Sequence, residues 1–165
     1  MVRVLFVCLG NICRSPMAEG VFNHLIKERG WEDRFQVDSS GTAAYHIGEL
    51  ADPRTLKTLK KHNVALDHRA RKFVSDDFED FDFIMAMDAS NYSNIMRVHG
   101  ATENGNKVWM MRAFEESAPN SNKSHLEVPD PYYGGDNGFD EVFEMLVRSQ
   151  NNLLDYIARE QGWEG

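Results

Sequence analysis

The sequence predicts an α/β fold: a single domain with a central four-stranded parallel sheet flanked by helices on both faces. Short apolar runs rich in β-branched residues alternate along the chain with segments of helical periodicity. Apolar residues make up 42% and charged residues 27% of the 165 positions, the balance of a packed core under a solvated surface. That length is one domain's worth of chain, and no internal repeat or low-complexity tract divides it.

Residues 2–7 form a compact apolar run, readable as a buried strand. Ser15-Pro16 reads as a helix start, with serine as the cap and proline in the first turn. Behind it Ala18, Val21, Phe22, Leu25 and Ile26 recur at helical spacing, and Gly30 closes the segment. Residues 35–39 read as a second strand, followed by the loop SGTAAYHIG, and residues 53–62 as a second helix. Residues 82–87, DFIMAM, give a third strand that ends at Asp88 before a helical stretch, and residues 107–111 a fourth. Residues 116–138 are polar, carry proline and glycine, and lack apolar periodicity, so they predict a long functional loop. The last helix is the clearest: Phe139, Val142, Phe143, Leu146, Leu153, Leu154 and Ile157 make one stripe.

Charge and composition remove several classes of partner. A net charge of −8 leaves no broad basic surface for nucleic acid and no attraction to anionic membranes. No apolar run approaches the roughly 18 residues of a membrane span, and the start of the chain lacks a signal-peptide pattern. The expectation is a cytoplasmic protein with no nucleic-acid or membrane partner. The two cysteines, Cys8 and Cys13, share one loop, which fits a reducing compartment and a catalytic, redox or metal-binding role. The six histidines show no H-x3-H or H-E-x-x-H spacing, and two cysteines alone fall short of a zinc site's four ligands, so neither a metal nor any other cofactor is expected.

The loop in VLFVCLGNICRSP lies between a strand and a helix N-terminus, where open α/β sheets bind ligands. Unpaired amides and the helix dipole there hold phosphate and favour a thiolate. Cys8 would face the centre of the loop, Arg14 would hold two phosphate oxygens with its planar fork, and Ser15 would offer its hydroxyl to the thiolate. Gly10 and Asn11 tolerate the positive φ needed to turn successive amides inward. The chain has no G-x4-G-K-[ST] and no G-x-G-x-x-G opening a helix. A nucleophile stands where nucleotide loops have glycine or lysine, which favours phosphate transfer to sulfur.

This string resembles the signature of the low-molecular-weight protein tyrosine phosphatases. VDSSGT, HRARK, DFIMAMD and PDPYYGG follow in family order over nearly the whole chain. The resemblance implies one phosphatase domain over 1–165, with a catalytic loop at 8–15 and a general-acid loop at about 113–136. It implies that Cys8 is the nucleophile, that Arg14 and the loop amides of Leu9, Gly10, Asn11, Ile12, Cys13 and Ser15 hold the phosphate, and that Asp130 is the general acid and base. Asp88 and Asp136 are secondary candidates for the acid. Tyr45, Tyr132 and Tyr133 would wall a slot for a phenyl ring, with Leu9 and Ile12 at its base, and Asn11, Ser39 and His68 would brace the loop. Cys13 would form a reversible disulfide with Cys8, against the alternative of simple packing. The substrates implied are phosphotyrosine proteins, with phosphate and other oxyanions as inhibitors.

Three rivals are weighed against it. Related arsenate reductases pass oxidation to downstream cysteines, and none follows Cys13. Protein arginine phosphatases tend to carry threonine where this loop has Ile12. A silent phosphotyrosine-binding protein would lack the Cys, Arg or Asp, and all three are present. Residues 115–128, rich in serine and asparagine, lengthen the approach to Asp130 relative to the family.

Overall fold

The computed structural model describes residues 1–116, 126–132, 134 and 136–163, with Asp136 described by its backbone alone. Chain order is β1 (Val2–Cys8), α1 (Arg14–Glu28), β2 (Phe35–Gly41), α2 (Pro53–Lys61), α3 (Asp77–Asp80), β3 (Phe83–Ala86), α4 (Ala89–Ile95), α5 (Ala101–Asn104), β4 (Val108–Met110) and α6 (Asp136–Gln161). The four strands form one sheet in the order β2-β1-β3-β4, and every pairing is parallel. The expected fold class and all four strands are therefore present. β3 and β4 are shorter at both ends than the apolar runs suggested, and β2 runs on to Gly41.

β1 takes the centre because it is buried along its length except at Arg3, as a strand covered on both faces must be. The chain moves from β1 to β2 in one direction and from β3 to β4 in the other. Right-handed crossovers then set α1 and α4 on opposite faces and open a crevice beyond the C-terminal end of β1. The register puts Cys8 opposite Gly41 on one side, and Val7 opposite Ala86 on the other. α1, α2 and α6 pack against one another. Phe6 meets Phe22 edge-on at 5.2 Å in the core, and Gln150 of α6 donates to the Ala18 carbonyl of α1 at 2.9 Å.

Two expectations about helix starts are corrected. Ser15 is not the cap of α1: the helix begins at Arg14 after Cys13, with no side-chain cap, and Ser15 lies inside the first turn. Its hydroxyl is engaged by the Cys8 thiol instead, which leaves the amides of the first turn uncapped. α6 begins at Asp136, so the end of the polar segment is helical. The stretch of that segment at 117–125, most of the serine- and asparagine-rich insertion, lies outside the described residues. The short helices α3 and α5 gave no apolar period to read.

Candidate active site

Cys8 ends β1 and is buried, with Sγ 3.0 Å from the Ser15 hydroxyl. The chain then turns through residues 9–13 and enters α1 at Arg14. The turn is pinned by Asn11, which is buried and left-handed at φ 58°. Its amide nitrogen donates to Ser15 Oγ at 2.8 Å and Ser39 Oγ at 3.0 Å. Its carbonyl oxygen accepts from the Arg71 backbone N–H at 3.0 Å and stands 2.7 Å from His68 Nε2. Asparagine tolerates this backbone region, and here all its polar atoms are used. Gly10, expected to share the positive φ, does not have it. It is small for another reason: a Cβ there would lie 3.0 Å from the His46 ring.

Behind Asn11 the brace continues. Ser39 donates to Glu19 Oε1 at 2.7 Å, and His68 Nδ1 lies 3.1 Å from the same oxygen and 3.5 Å from Asp38 Oδ1. Burial pushes Glu19 up to about 7 and lowers His68, so each tends toward neutrality, while the short contact favours an imidazolium beside carboxylate. Glu19, Asp38 and His68 also form the group of potential metal ligands found among the described residues. Ser39, Asn11 and Arg71 already occupy these side chains, which fits a brace better than a metal centre.

Arg14 is buried, and its Nη1 donates to Asp88 Oδ2 at 2.7 Å and to the Val128 carbonyl at 2.9 Å. Asp88 also caps α4 through Oδ1, which accepts from the Asn91 N–H at 2.7 Å. It therefore reads as the group that orients Arg14 rather than as an acid. Val128 is tied back to the end of β3 by its N–H to the Met87 carbonyl at 2.8 Å. Two residues on, Asp130 Oδ2 stands 3.8 Å from Arg14 Nη2, and Oδ1 accepts from the Tyr132 N–H at 3.0 Å. The Asp130 side chain is 38% exposed, open to the pocket and to water.

These groups meet in one cavity of ≈ 150 Å³ lined by Cys8, Leu9, Gly10, Ile12, Cys13, Arg14, Tyr45, His46, Asp130 and Tyr132. The nucleophile, arginine and acid expected from the sequence are thus together, with both expected floor residues and two of the three tyrosines. Asn11 and Ser15 lie behind the floor rather than on it, and Tyr133 lies outside the described residues. His46 was missed; a lone histidine in a loop gave no spacing to read, and it is held by Glu49 at 2.8 Å. Arg54 was also missed. It is fixed on Asp52 through Nε at 3.0 Å and lies 5.3 Å from the centroid of the Tyr132 ring, steadying that wall. Both cysteines are free, and burial, with Asp52 and Cys8 nearby, pushes Cys13 up to about 12.

A thiol at a strand end, a helix N-terminus beside it, one buried cation and a carboxylate at the rim define a pocket for a tetrahedral oxyanion with a nucleophile on its floor. Comparison with known proteins agrees. The family model for low molecular weight phosphotyrosine protein phosphatase matches residues 3–162, and the chain belongs to that family of hydrolases. It is 48% identical to the Schizosaccharomyces pombe low molecular weight phosphotyrosine protein phosphatase, over 95% of this chain and 97% of that one. Among solved structures, the protein tyrosine phosphatase from Entamoeba histolytica, with Hepes in the active site, matches with a TM-score of 0.86 and 39% identity, over 98% of this chain and 99% of that one. The drosophila arginine phosphatase DARP matches with a TM-score of 0.80 and 31% identity, over 93% and 96%.

Gly41 sets how closely β2 approaches the loop. A Cβ there would lie 2.7 Å from the Leu9 carbonyl oxygen and 3.1 Å from the Asn11 nitrogen, both backbone atoms. Gly41→Ala must displace the loop, and kcat/KM toward an aryl phosphate should fall about 100-fold with the fold retained. Activity within about twofold of wild type, with an unchanged circular dichroism spectrum, would show that the loop does not depend on this contact.

Proposed function

We propose that the protein hydrolyses phosphotyrosine in proteins, and small aryl phosphates, through a cysteinyl-phosphate intermediate. The observation that carries this reading is the convergence of Cys8, Arg14 and Asp130 on one cavity. Cys8, as thiolate, attacks phosphorus in line; the S–P bond forms and the bond to the phenol oxygen breaks. Asp130 gives its proton to the leaving oxygen. Water then attacks phosphorus, Asp130 takes its proton, the S–P bond breaks, and phosphate leaves. Arg14, oriented by Asp88, and the amides at the helix start hold the equatorial oxygens as the transition state forms. The Ser15 hydroxyl, 3.0 Å from Sγ, donates to the thiolate and eases its departure from phosphorus. Phosphate and other oxyanions would compete for the same place.

Substrate choice follows from the walls. Leu9, Ile12, Tyr45 and Tyr132 offer flat apolar surface to an aryl ring. A phosphoarginine substrate is the second reading, since an arginine phosphatase shares the fold. Ile12 offers no hydroxyl to a guanidinium, which supports phosphotyrosine. Among the described residues no helix is long and apolar enough to cross a membrane.

Cys13 lines the cavity with Cys8 and is a neutral thiol near pH 7, because burial favours the uncharged form. Peroxide would convert the Cys8 thiolate to a sulfenic acid, and the Cys13 thiol would then displace water from it to give a disulfide that added thiol reduces. Peroxide inactivation of wild type should therefore be reversed by dithiothreitol, and that of Cys13→Ser should become progressively irreversible. Equal recovery of the two would leave Cys13 with packing alone.

Hydrolysis of para-nitrophenyl phosphate should persist in EDTA, vanish in Cys8→Ser, and drop about 100-fold or more in Asp130→Ala. The wild-type kcat/KM should be highest on the acid side of neutrality, because the leaving phenol oxygen must receive a proton as its bond to phosphorus breaks. A profile flat from about pH 5 to about pH 9, or an active Cys8→Ser, would overturn the assignment.

A further inference from the structure

Arg112, in the turn after β4, bonds both ends of the 115–128 stretch that leads to Asp130. Its Nε donates to Glu115 Oε2 at 3.0 Å, and its Nη1 donates to the Glu127 carbonyl at 2.9 Å. The reaction described above uses neither bond. The near end is fixed by α6. Glu115 accepts from Arg148 Nε and, at 3.2 Å, from Ser149 Oγ, and Asn152 Nδ2 donates to its carbonyl at 3.2 Å. Burial works to raise Glu115, but the bonds from Arg112 and Arg148 outweigh it and hold the carboxyl below the usual carboxylate range. The planar fork of Arg112 carries this fixed point across to Glu127.

The far end leads to the acid. The peptide group between Glu127 and Val128 is bonded on both sides: its C=O accepts from Arg112, and its N–H donates to the Met87 carbonyl at 2.8 Å. The next C=O, that of Val128, accepts from Arg14 Nη1 at 2.9 Å. Peptide groups are planar, so restraining two in succession restrains φ and ψ at Val128. The ring of Pro129 locks the next φ. Few free torsions then separate the fixed backbone from Asp130. The Glu127 side chain adds an anchor, with Oε2 accepting from the Ala89 N–H at 2.7 Å. Asp130 itself stands 3.8 Å from Arg14 Nη2 with a half-open side chain, so its aim depends on the backbone that carries it.

We propose that Arg112 is a positioning residue for the general acid: by clasping Glu115 to the Glu127 carbonyl, it sets the backbone that presents the Asp130 carboxyl to the leaving oxygen. The inference rests on Asp130 being the acid, as read above, and adds what aims it. Without Arg112 the Glu127–Val128 peptide group keeps its N–H bond alone, and Asp130 spends less time within reach of the leaving oxygen. Cys8, Arg14 and the loop amides are held by other bonds and keep their places. The effect therefore falls on proton transfer and spares the binding of phosphate.

The test uses leaving-group chemistry. The oxygen leaving phenyl phosphate needs a proton, whereas the oxygen of dinitrophenyl phosphate leaves readily without one. Arg112→Ala should lower kcat/KM on phenyl phosphate about tenfold and on dinitrophenyl phosphate less than about twofold, with the inhibition constant for inorganic phosphate unchanged. Arg112→Lys keeps the charge but offers its donors from a single nitrogen, and it should shift the ratio of the two rates in the same direction, which serves should the alanine variant not fold. In an Asp130→Ala background, Arg112→Ala should move the ratio no further. A wild-type ratio in the folded Arg112 variants, or a further shift in the Asp130→Ala background, would overturn the positioning role alone. A wild-type ratio in Asp130→Ala itself would overturn the reading of Asp130 as the acid, and the clasp with it.

Discussion

The carboxamide of Asn11 is the interaction on which the rest of the site depends. The residue is buried and left-handed, and its amide group bonds Ser15, Ser39, His68 and the Arg71 backbone together. The four partners come from three parts of the chain: the first turn of α1, the end of β2, and the loop between α2 and α3. The catalytic loop is thereby held by the sheet and not by its own propensity. Unmaking those bonds would leave buried donors and acceptors unpaired, at about 1–3 kcal/mol each. That cost keeps the loop in one shape when no anion is present, so little order remains to be gained when a phosphate binds.

The same logic explains how an acidic protein presents a site for a dianion. Arg14 is buried, and its charge is met by Asp88, by the Val128 carbonyl and, at 3.8 Å, by Asp130. Asp88 and Val128 spend one guanidinium nitrogen, Nη1, and leave Nη2 toward the pocket. The bond to Val128 also fixes the start of the segment that carries Asp130. One cation therefore positions both the phosphate and the acid that attends its leaving group, which ties the two halves of the reaction to a single side chain. Opposite charges in a partly buried site are little screened by salt, so this arrangement survives in a chain whose far field repels anions.

Much of the fold was legible because its strands are continuous apolar runs and α6 keeps a clean stripe. The site was legible where chemistry is packed into a short string: Cys8, Arg14 and Ser15 lie within one loop, and Asp130 stands in a recognisable motif. What was misread are choices between two uses of one residue type. Serine before proline is as good a helix cap as it is a partner for a thiol, and only the fold decides. Either Gly10 or Asn11 could have made the left-handed turn, and the hydrogen bonds of Asn11 decide it. What was missed acts across long sequence separations. Gly41 matters because β2 passes under the loop, and Arg54 because α2 lies against Tyr132; Asp88, expected only as a second candidate for the acid, orients Arg14 because β3 ends beside it. No local pattern marks such residues.

The central claim is that sulfur, and specifically Cys8, carries the phosphoryl group during turnover. Rapid acid quench during the first turnover of a phosphotyrosyl peptide, followed by mapping of the phosphate by mass spectrometry, tests it directly. The result expected is a transient phosphate on Cys8 that appears with the first mole of tyrosine peptide and decays with release of inorganic phosphate. Turnover with the phosphate on a histidine or a carboxylate, or with no phosphorylated protein even when Asp130→Ala slows its breakdown, would contradict it.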